Sequence, residues 1–318
     1  MKINPTLLTP LIAVLFSFST AAYAGFDEGL TAYQEKNYPL ALKEFSAAAT
    51  QDDARAQFGL GLLYSKGLGV AQDHIQAISW YRKAAEKGNA QAQHNLGLMY
   101  QKGQGVAPDY PQAVSWYRKA AEQGYADAQN NLGQMYDEGR GIAQSYNQAL
   151  YWYRKAAEQG NEAAQLNLGI MYHLGQGVKQ DVMQAFNWYS KAAKQGHAGA
   201  QYNLGVMYGS GQGTTQDYLQ AFYWYRKSAE QGNVGALNNL SAMFLGGQGV
   251  QQNPIVAYAL CNVSASLEGS TDNKAIKVRD ILKTNMTPKQ ITIGDALSRE
   301  MLKPNNLLKA LDAYLKKS

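Results

Sequence analysis

Thiols and imidazoles are scarce along the 318 residues: one cysteine, Cys261, and four histidines, His74, His94, His173 and His197. A single thiol excludes an intramolecular disulfide and any four-cysteine zinc site. The histidines fall at unrelated intervals, and none forms the His-Glu-x-x-His pair that sets two imidazoles on one helix face, so no metal site is expected. Neither a Gly-x-Ser-x-Gly elbow nor a Ser-x-x-Lys element occurs, and serine acyl transfer therefore lacks its local signature. Glycine pairs such as Gly103/Gly105 and Gly139/Gly141 would suit a phosphate loop. They lack both the spaced third glycine and the Gly-Lys-Ser/Thr ending, and they follow a helical pattern instead of a strand. With no catalytic residue, metal ligand or cofactor site to assign, a non-enzymatic protein is expected.

Basic doublets also invite a chemical reading. Arg82-Lys83, Arg118-Lys119, Arg154-Lys155 and Arg226-Lys227 would make a stripe for a polyanion, supporting the net charge of +5. Each arginine, however, is followed four residues later by an acid, Glu86, Glu122, Glu158 or Glu230. Such i, i+4 pairs contribute about 0.2–0.5 kcal/mol each and cancel much of the local field. A solvated helix face is expected, and no nucleic-acid partner.

The elements that carry these residues are fixed by a repeat. Trp80, Trp116, Trp152, Trp188 and Trp224 stand 36 residues apart, and Gly61, Gly97, Gly133, Gly169 and Gly205 keep the same interval, with Ser241 in the sixth place. A fixed period of this length marks a solenoid whose units bury their faces against one another. Within residues 90–124, Ala92, Leu96, Met99 and Tyr100 share one helix side. Gly97 offers a surface without a side chain for another helix, and Gly103 and Gly105 end the first helix. Asp109 is placed to cap a second helix with Pro111 in its first turn. Ala113, Trp116, Tyr117, Ala120 and Ala121 give that helix its apolar side. The pattern predicts an all-α fold, an α/α superhelical solenoid of 36-residue helix-turn-helix repeats. Residues 25–53 read as a degenerate first copy, 54–269 as six repeats and 270–318 as a helical C-terminal cap. Cys261 takes the place of a core aromatic, so a buried, inert thiol is expected.

Lys2, the apolar run from Leu11 to Phe16 and the Ala22-Tyr23-Ala24 site give residues 1–24 the layout of a signal peptide. Export is the expectation, to the periplasm or beyond it by secretion. No later stretch is long and apolar enough to span a bilayer, so the mature chain is expected to have no transmembrane segment.

The string Ala92-Gln-x-x-Leu96-Gly97-x-Met-Tyr100-x-x-Gly103-x-Gly105-Val106, then Gln112-Ala113-x-x-Trp116-Tyr117-Arg-Lys-Ala-Ala-Glu-x-Gly124, resembles the Sel-one-like repeat, a longer-turn relative of the tetratricopeptide repeat. Met286-Thr-Pro-Lys-Gln290 resembles the C-terminal ending of bacterial members. The resemblance implies a right-handed superhelix acting as an adaptor in protein assembly and signalling. Some exported relatives carry a cysteine pair in each repeat and are associated with penicillin binding or β-lactamase activity; this chain departs from them in having Cys261 alone. A cell-wall-ligand binder or hydrolase of that kind, and a secreted factor acting on host proteins, remain alternatives to a scaffold that binds a protein or peptide of the cell envelope.

A repeating scaffold distinguishes its partner at positions that vary, and helical geometry assigns these to the arc facing the concave groove of the related tetratricopeptide repeat. Leu166, Ile170 and Leu174 in one repeat and Tyr202 and Val206 in the next would furnish apolar pockets. Asp127, Asp137 and Glu138 would give an acidic spot beside them, and Phe58 and Leu62 lie on the same arc of an earlier copy. One position on that arc is constant: Asn95, Asn131, Asn167, Asn203 and Asn239 form a ladder. An amide that both donates and accepts could hold the backbone of an extended peptide, as the equivalent Asn does in peptide-binding tetratricopeptide repeats, or could serve a neighbouring helix.

Overall fold

The structure, a computed structural model, describes residues 25–268 and 274–317. The leader assigned to residues 1–24 and the start of the assigned cap lie outside them. The chain divides into two compact units, Met1–Gln159 and Gly160–Ser318. Among the described residues there is no strand. Unit one holds α1 (25–34) with α2 (Tyr38–Thr50), α3 (Ala54–Lys66) with α4 (His74–Glu86), α5 (Ala90–Lys102) with α6 (Tyr110–Glu122), and α7 (Ala126–Glu138) with α8 (Tyr146–Glu158). Unit two holds α9 (Glu162–Leu174) with α10 (Val182–Gln195), α11 (Ala198–Ser210) with α12 (Tyr218–Glu230), and α13 (Val234–Gly246) with α14 (Pro254–Glu268). It ends in α15 (Lys274–Asn285), α16 (Pro288–Met301) and α17 (Leu307–Leu315).

Helix ends follow local chemistry. Asp109 caps α6 by accepting the Gln112 N–H, with proline in the first turn. Asp73, Ser145, Asp181 and Asp217 cap α4, α8, α10 and α12 in the same way. The first helices of the six repeats stop at a left-handed glycine, Gly103, at φ 68°, closing α5; α1 is instead followed by Lys36 at φ 62°. The second glycine of the turn has a different task. Gly105 also sits at positive φ, and a Cβ there would lie 2.8 Å from the His74 carbonyl carbon. This turn therefore rests on the first residue of the preceding second helix, backbone against backbone. Thr287 and Gln290 form a reciprocal capping box at the start of α16.

Within a hairpin, one contact sets the approach of the two helices. A Cβ on Gly97 would lie 2.6 Å from Tyr117 Cε1, so the tyrosine ring lies flat against bare backbone. Gly61/Tyr81, Gly133/Tyr153, Gly169/Tyr189 and Gly205/Tyr225 repeat the arrangement, and Gly29/Phe45 reproduces it in the degenerate copy. In the sixth repeat both partners change together. Ser241 takes the glycine's place and Cys261 the tyrosine's, with Ser241 Oγ 3.2 Å from Cys261 Sγ and donating to the Ala257 carbonyl at 3.0 Å. Cys261 is buried and its thiol pKa is pushed up by desolvation, as befits a packing residue. The cap uses the device once more: Gly294 of α16 lies under the Tyr258 ring of α14.

Successive hairpins are joined by buried amides. Gln93 Nε2 donates to the Ala85 carbonyl at the end of α4 (2.9 Å), while its Oε1 accepts from Gln123 Nε2 at the end of α6 (2.7 Å). Gln129 with Ala121 and Gln159, and Gln201 with Ala193 and Gln231, do the same. The relay satisfies helix-terminal carbonyls that would otherwise be buried without a donor.

The paired loss of glycine and tyrosine in the sixth repeat can be transplanted. Gly97→Ser alone is expected to cost about 1–3 kcal/mol by overpacking, and Tyr117→Cys alone about 3–5 kcal/mol by leaving a cavity. The double variant should be less destabilised than the sum by roughly 1 kcal/mol or more, read from urea denaturation of the four proteins. Strict additivity would show that ring and backbone do not constrain each other.

Candidate functional site

Three of the tyrosines that cover a glycine, Tyr81, Tyr189 and Tyr225, line clefts between consecutive first helices. Tyr81 Oη lies 3.3 Å from Ser65 Oγ, and the Tyr117 hydroxyl donates to Gln101 Oε1 at 2.5 Å. The Tyr153 hydroxyl lies 3.5 Å from Asp137 Oδ2. Burial raises the pKa of each ring, that of Tyr225 to about 12, so these phenols stay neutral. Asn95, Asn131 and Asn239 approach the hydroxyls of Tyr81, Tyr117 and Tyr225 from the next repeat and oppose that upward shift.

All five ladder residues, Asn95, Asn131, Asn167, Asn203 and Asn239, are half-buried. Asn131 is the most engaged: its Nδ2 lies 3.0 Å from His94 Nε2, and its Oδ1 accepts from Asn130 at 3.3 Å. Asn95, Asn203 and Asn239 each line a cleft. The ladder thus meets the clefts while resting on the tyrosines beneath them.

Three clefts of about 360, 350 and 270 Å³ are built from the same repeat positions. In unit one Leu62, Lys66, Tyr81, Asn95, Leu98 and Lys102 surround the first. In unit two the second joins Val206, Ser210, Tyr225, Asn239 and Ala242. The third joins Ile170, Leu174, Tyr189, Asn203 and Val206. Their floor is constant and their rim varies. Lys66 and Lys102 are charged members of that rim which the repeat pattern did not bring forward; as the last residues of α3 and α5 they occupy the position held by Leu174 and Ser210 elsewhere.

The apolar residues of the groove divide between rim and packing. Leu174 is 59% exposed and Ile170 and Val206 line clefts. Leu166 and Tyr202, half-buried like Ile170 and Val206, also reach the start of the next first helix: a Cβ on Gly199 would lie 3.4 Å from Leu166 Cδ2, and one on Gly235 2.9 Å from Tyr202 Cε2. Glycine in the following repeat lets each of these side chains rest partly on backbone, and Tyr202 still lines the cleft that holds Val206 and Tyr225. The acidic spot is partly neutralised. Glu138 pairs with Arg140 at 2.8 Å, and Asp137, beside Glu138, has its carboxyl pKa raised by burial.

The basic doublets require a correction. Arg82 does not pair with Glu86: its Nη2 donates to the Tyr100 hydroxyl of the next repeat at 2.7 Å, and Arg118 reaches Tyr136 likewise at 2.9 Å. Arg226 pairs with Asp312 of α17 at 2.7 Å. Lys83, Lys119 and Lys191 lie over Trp80, Trp116 and Trp188 at 3.9–4.1 Å. A forward-reaching guanidinium gains a partly buried partner, whereas an exposed i, i+4 pair gains little. Among the described residues no three His, Cys, Asp or Glu side chains gather as a metal site, and no helix is long and apolar enough to cross a membrane.

Tandem helical hairpins joined by a glycine turn, with clefts repeating at one period, define an α-solenoid repeat protein. The Sel1 repeat model matches residues 54–89, 90–125, 126–161, 162–197, 198–233 and 234–268. The chain belongs to the Sel1 repeat family, whose repeats mediate protein–protein interaction. Similar to it is the crystal structure of a Sel1 repeat protein from Oxalobacter formigenes, 39% identical over 77% of this chain and 96% of that one, with a TM-score of 0.71. A protective antigen of uropathogenic Escherichia coli displaying an SLR fold is 28% identical over 93% and 79%, with a TM-score of 0.42. A putative sel1 repeat protein from Klebsiella pneumoniae is 25% identical over 65% and 99%, with a TM-score of 0.43. No curated protein matches the chain.

His94 gives the ladder a pH dependence. It is buried against Tyr117 and Tyr125 (ring centroids 5.8 and 5.3 Å), and desolvation lowers its pKa. The Asn131 amide can donate to Nε2 only while that nitrogen is unprotonated. As pH falls below the unfolded value of about 6.5, the unfolded chain takes up the proton first and stability declines until the lower folded pKa is passed, by up to about 1.4 kcal/mol per pH unit. His94→Leu should remove this part of the slope in urea midpoints measured between about pH 7.5 and 5. An unchanged slope would mean that His94 takes up its proton at the same pH in the folded and the unfolded chain.

Proposed function

We propose that the protein is an exported, non-enzymatic adaptor that holds an extended segment of a partner protein, of the cell envelope or of a host, against clefts between its repeats. One observation carries this reading: a floor of neutral tyrosine hydroxyls and asparagine amides recurs at a single repeat position, while the rim above it changes from copy to copy. A constant polar floor suits the repeating backbone of a peptide; a variable rim suits its side chains. The helices hold both in place before binding, which lowers the ordering cost of the ligand. The leader assigned to residues 1–24 supports export, and membership of an interaction family supports a protein partner.

A photo-crosslinking side chain at Leu174, which is exposed within its cleft, should capture a discrete protein from the envelope or secreted fraction in living cells. The same group at Met183, 66% exposed on a second helix, should not capture it. Leu174→Glu with the crosslinker at Ile170 should lose the adduct while the circular dichroism spectrum is retained. Equal capture from both faces would remove the clefts as the binding surface, and a cytoplasmic location for the protein would remove export.

A further inference from the structure

The three clefts share a floor but differ in charge, and the difference is concentrated in unit one. Lys66 and Lys102 both border the cleft between α3 and α5, and no acidic side chain lines it. Both lysines are exposed, and neither has an ion-pair partner among the described residues. The two clefts of unit two contain no Lys, Arg, Asp or Glu among their lining. His74, whose Nδ1 is buried without a hydrogen-bond partner, is one of the residues lining the unit-one cleft. A buried polar atom of this kind is normally satisfied by protein, water or ligand. At the cleft's apolar side stand Leu62 and Leu98, half-buried.

We propose that this cleft is a carboxylate subsite: it takes an internal Asp or Glu side chain of the extended partner segment, with an adjacent apolar side chain against Leu62 and Leu98. The inference rests on the peptide-binding reading given above and assigns the chemistry of one position within it. Two ammonium groups on consecutive first helices provide the positive field, and the Asn95 amide provides hydrogen-bond capacity beside it. Lysine here acts as a mobile point charge and does not demand the planar, bidentate geometry of arginine. The carboxylate belongs to a side chain and not to a chain end, because α1 precedes the cleft and α7 follows it within the unit. Leu30 of α1 and Gln134 of α7 continue the position of Leu62 and Leu98, so a ligand can run past on both sides.

A displayed library of random peptides selected on the purified full chain tests this. Wild-type protein should enrich peptides carrying Asp or Glu beside an apolar residue. The Lys66→Glu/Lys102→Glu variant, with an unchanged melting profile, should lose that acidic preference while keeping the apolar one. For an enriched peptide, Glu→Gln should weaken binding about tenfold or more, as expected for loss of a charge-assisted contact; C-terminal amidation should leave binding unchanged. Enriched peptides with no acidic bias, or an unaltered bias in the lysine variant, would overturn the subsite while leaving the peptide-binding groove standing. Sensitivity to amidation in place of Glu→Gln would overturn the internal carboxylate. Failure to enrich any peptide would overturn both readings.

Discussion

The flat contact between a tyrosine ring and a glycine without a side chain is the constraint on which the architecture rests. It sets how closely two helices of a hairpin approach, and it directs the phenol along that interface so that the hydroxyl emerges where the next hairpin begins. Everything at the cleft floor follows from this placement. The ring is buried, its proton is held, and in three repeats an asparagine from the following repeat meets the oxygen. The compensated pair Ser241/Cys261 is informative for the same reason. When the backbone surface acquires a small side chain, the opposing group shrinks, and a thiol–hydroxyl contact replaces ring on backbone.

Between hairpins the joints are polar and short. Gln93 bridges the ends of α4 and α6, Gly105 seats a turn on the first residue of α4, and Arg82 reaches forward to Tyr100. These groups satisfy the backbone at helix ends, where a stack of hairpins would otherwise bury unpaired carbonyls. A binding surface built on such joints has little freedom to rearrange. Selectivity is then left to rim residues such as Lys66, Lys102 and Leu174, which can change without disturbing the floor.

Much of this was legible before any coordinates. The 36-residue period, the glycine turns, the Asp109 cap and the aliphatic and aromatic stripes each state a local rule, and they agree with one another. Less legible were contacts whose partners lie one repeat away. A helix-face argument assigned Arg82 to Glu86 because both lie on one helix; it could not weigh a partly buried tyrosine hydroxyl eighteen residues further on. The same argument could not show that Leu166 and Tyr202, besides lying on the variable arc, rest on Gly199 and Gly235 of the next first helix. Lys66 and Lys102 carried no signal in the repeat pattern, because a lysine in the last turn of a helix is ordinary there.

The sequence by itself determined the class of fold, the boundaries of the hairpins and the constancy of the asparagine and tyrosine positions, since all of these follow from local periodicity and turn chemistry. Tertiary structure alone decided which members of the variable arc remain open. Burial on a repeat scaffold depends on the neighbour's surface, and whether a side chain meets glycine, a ring or solvent is settled only when two copies are stacked.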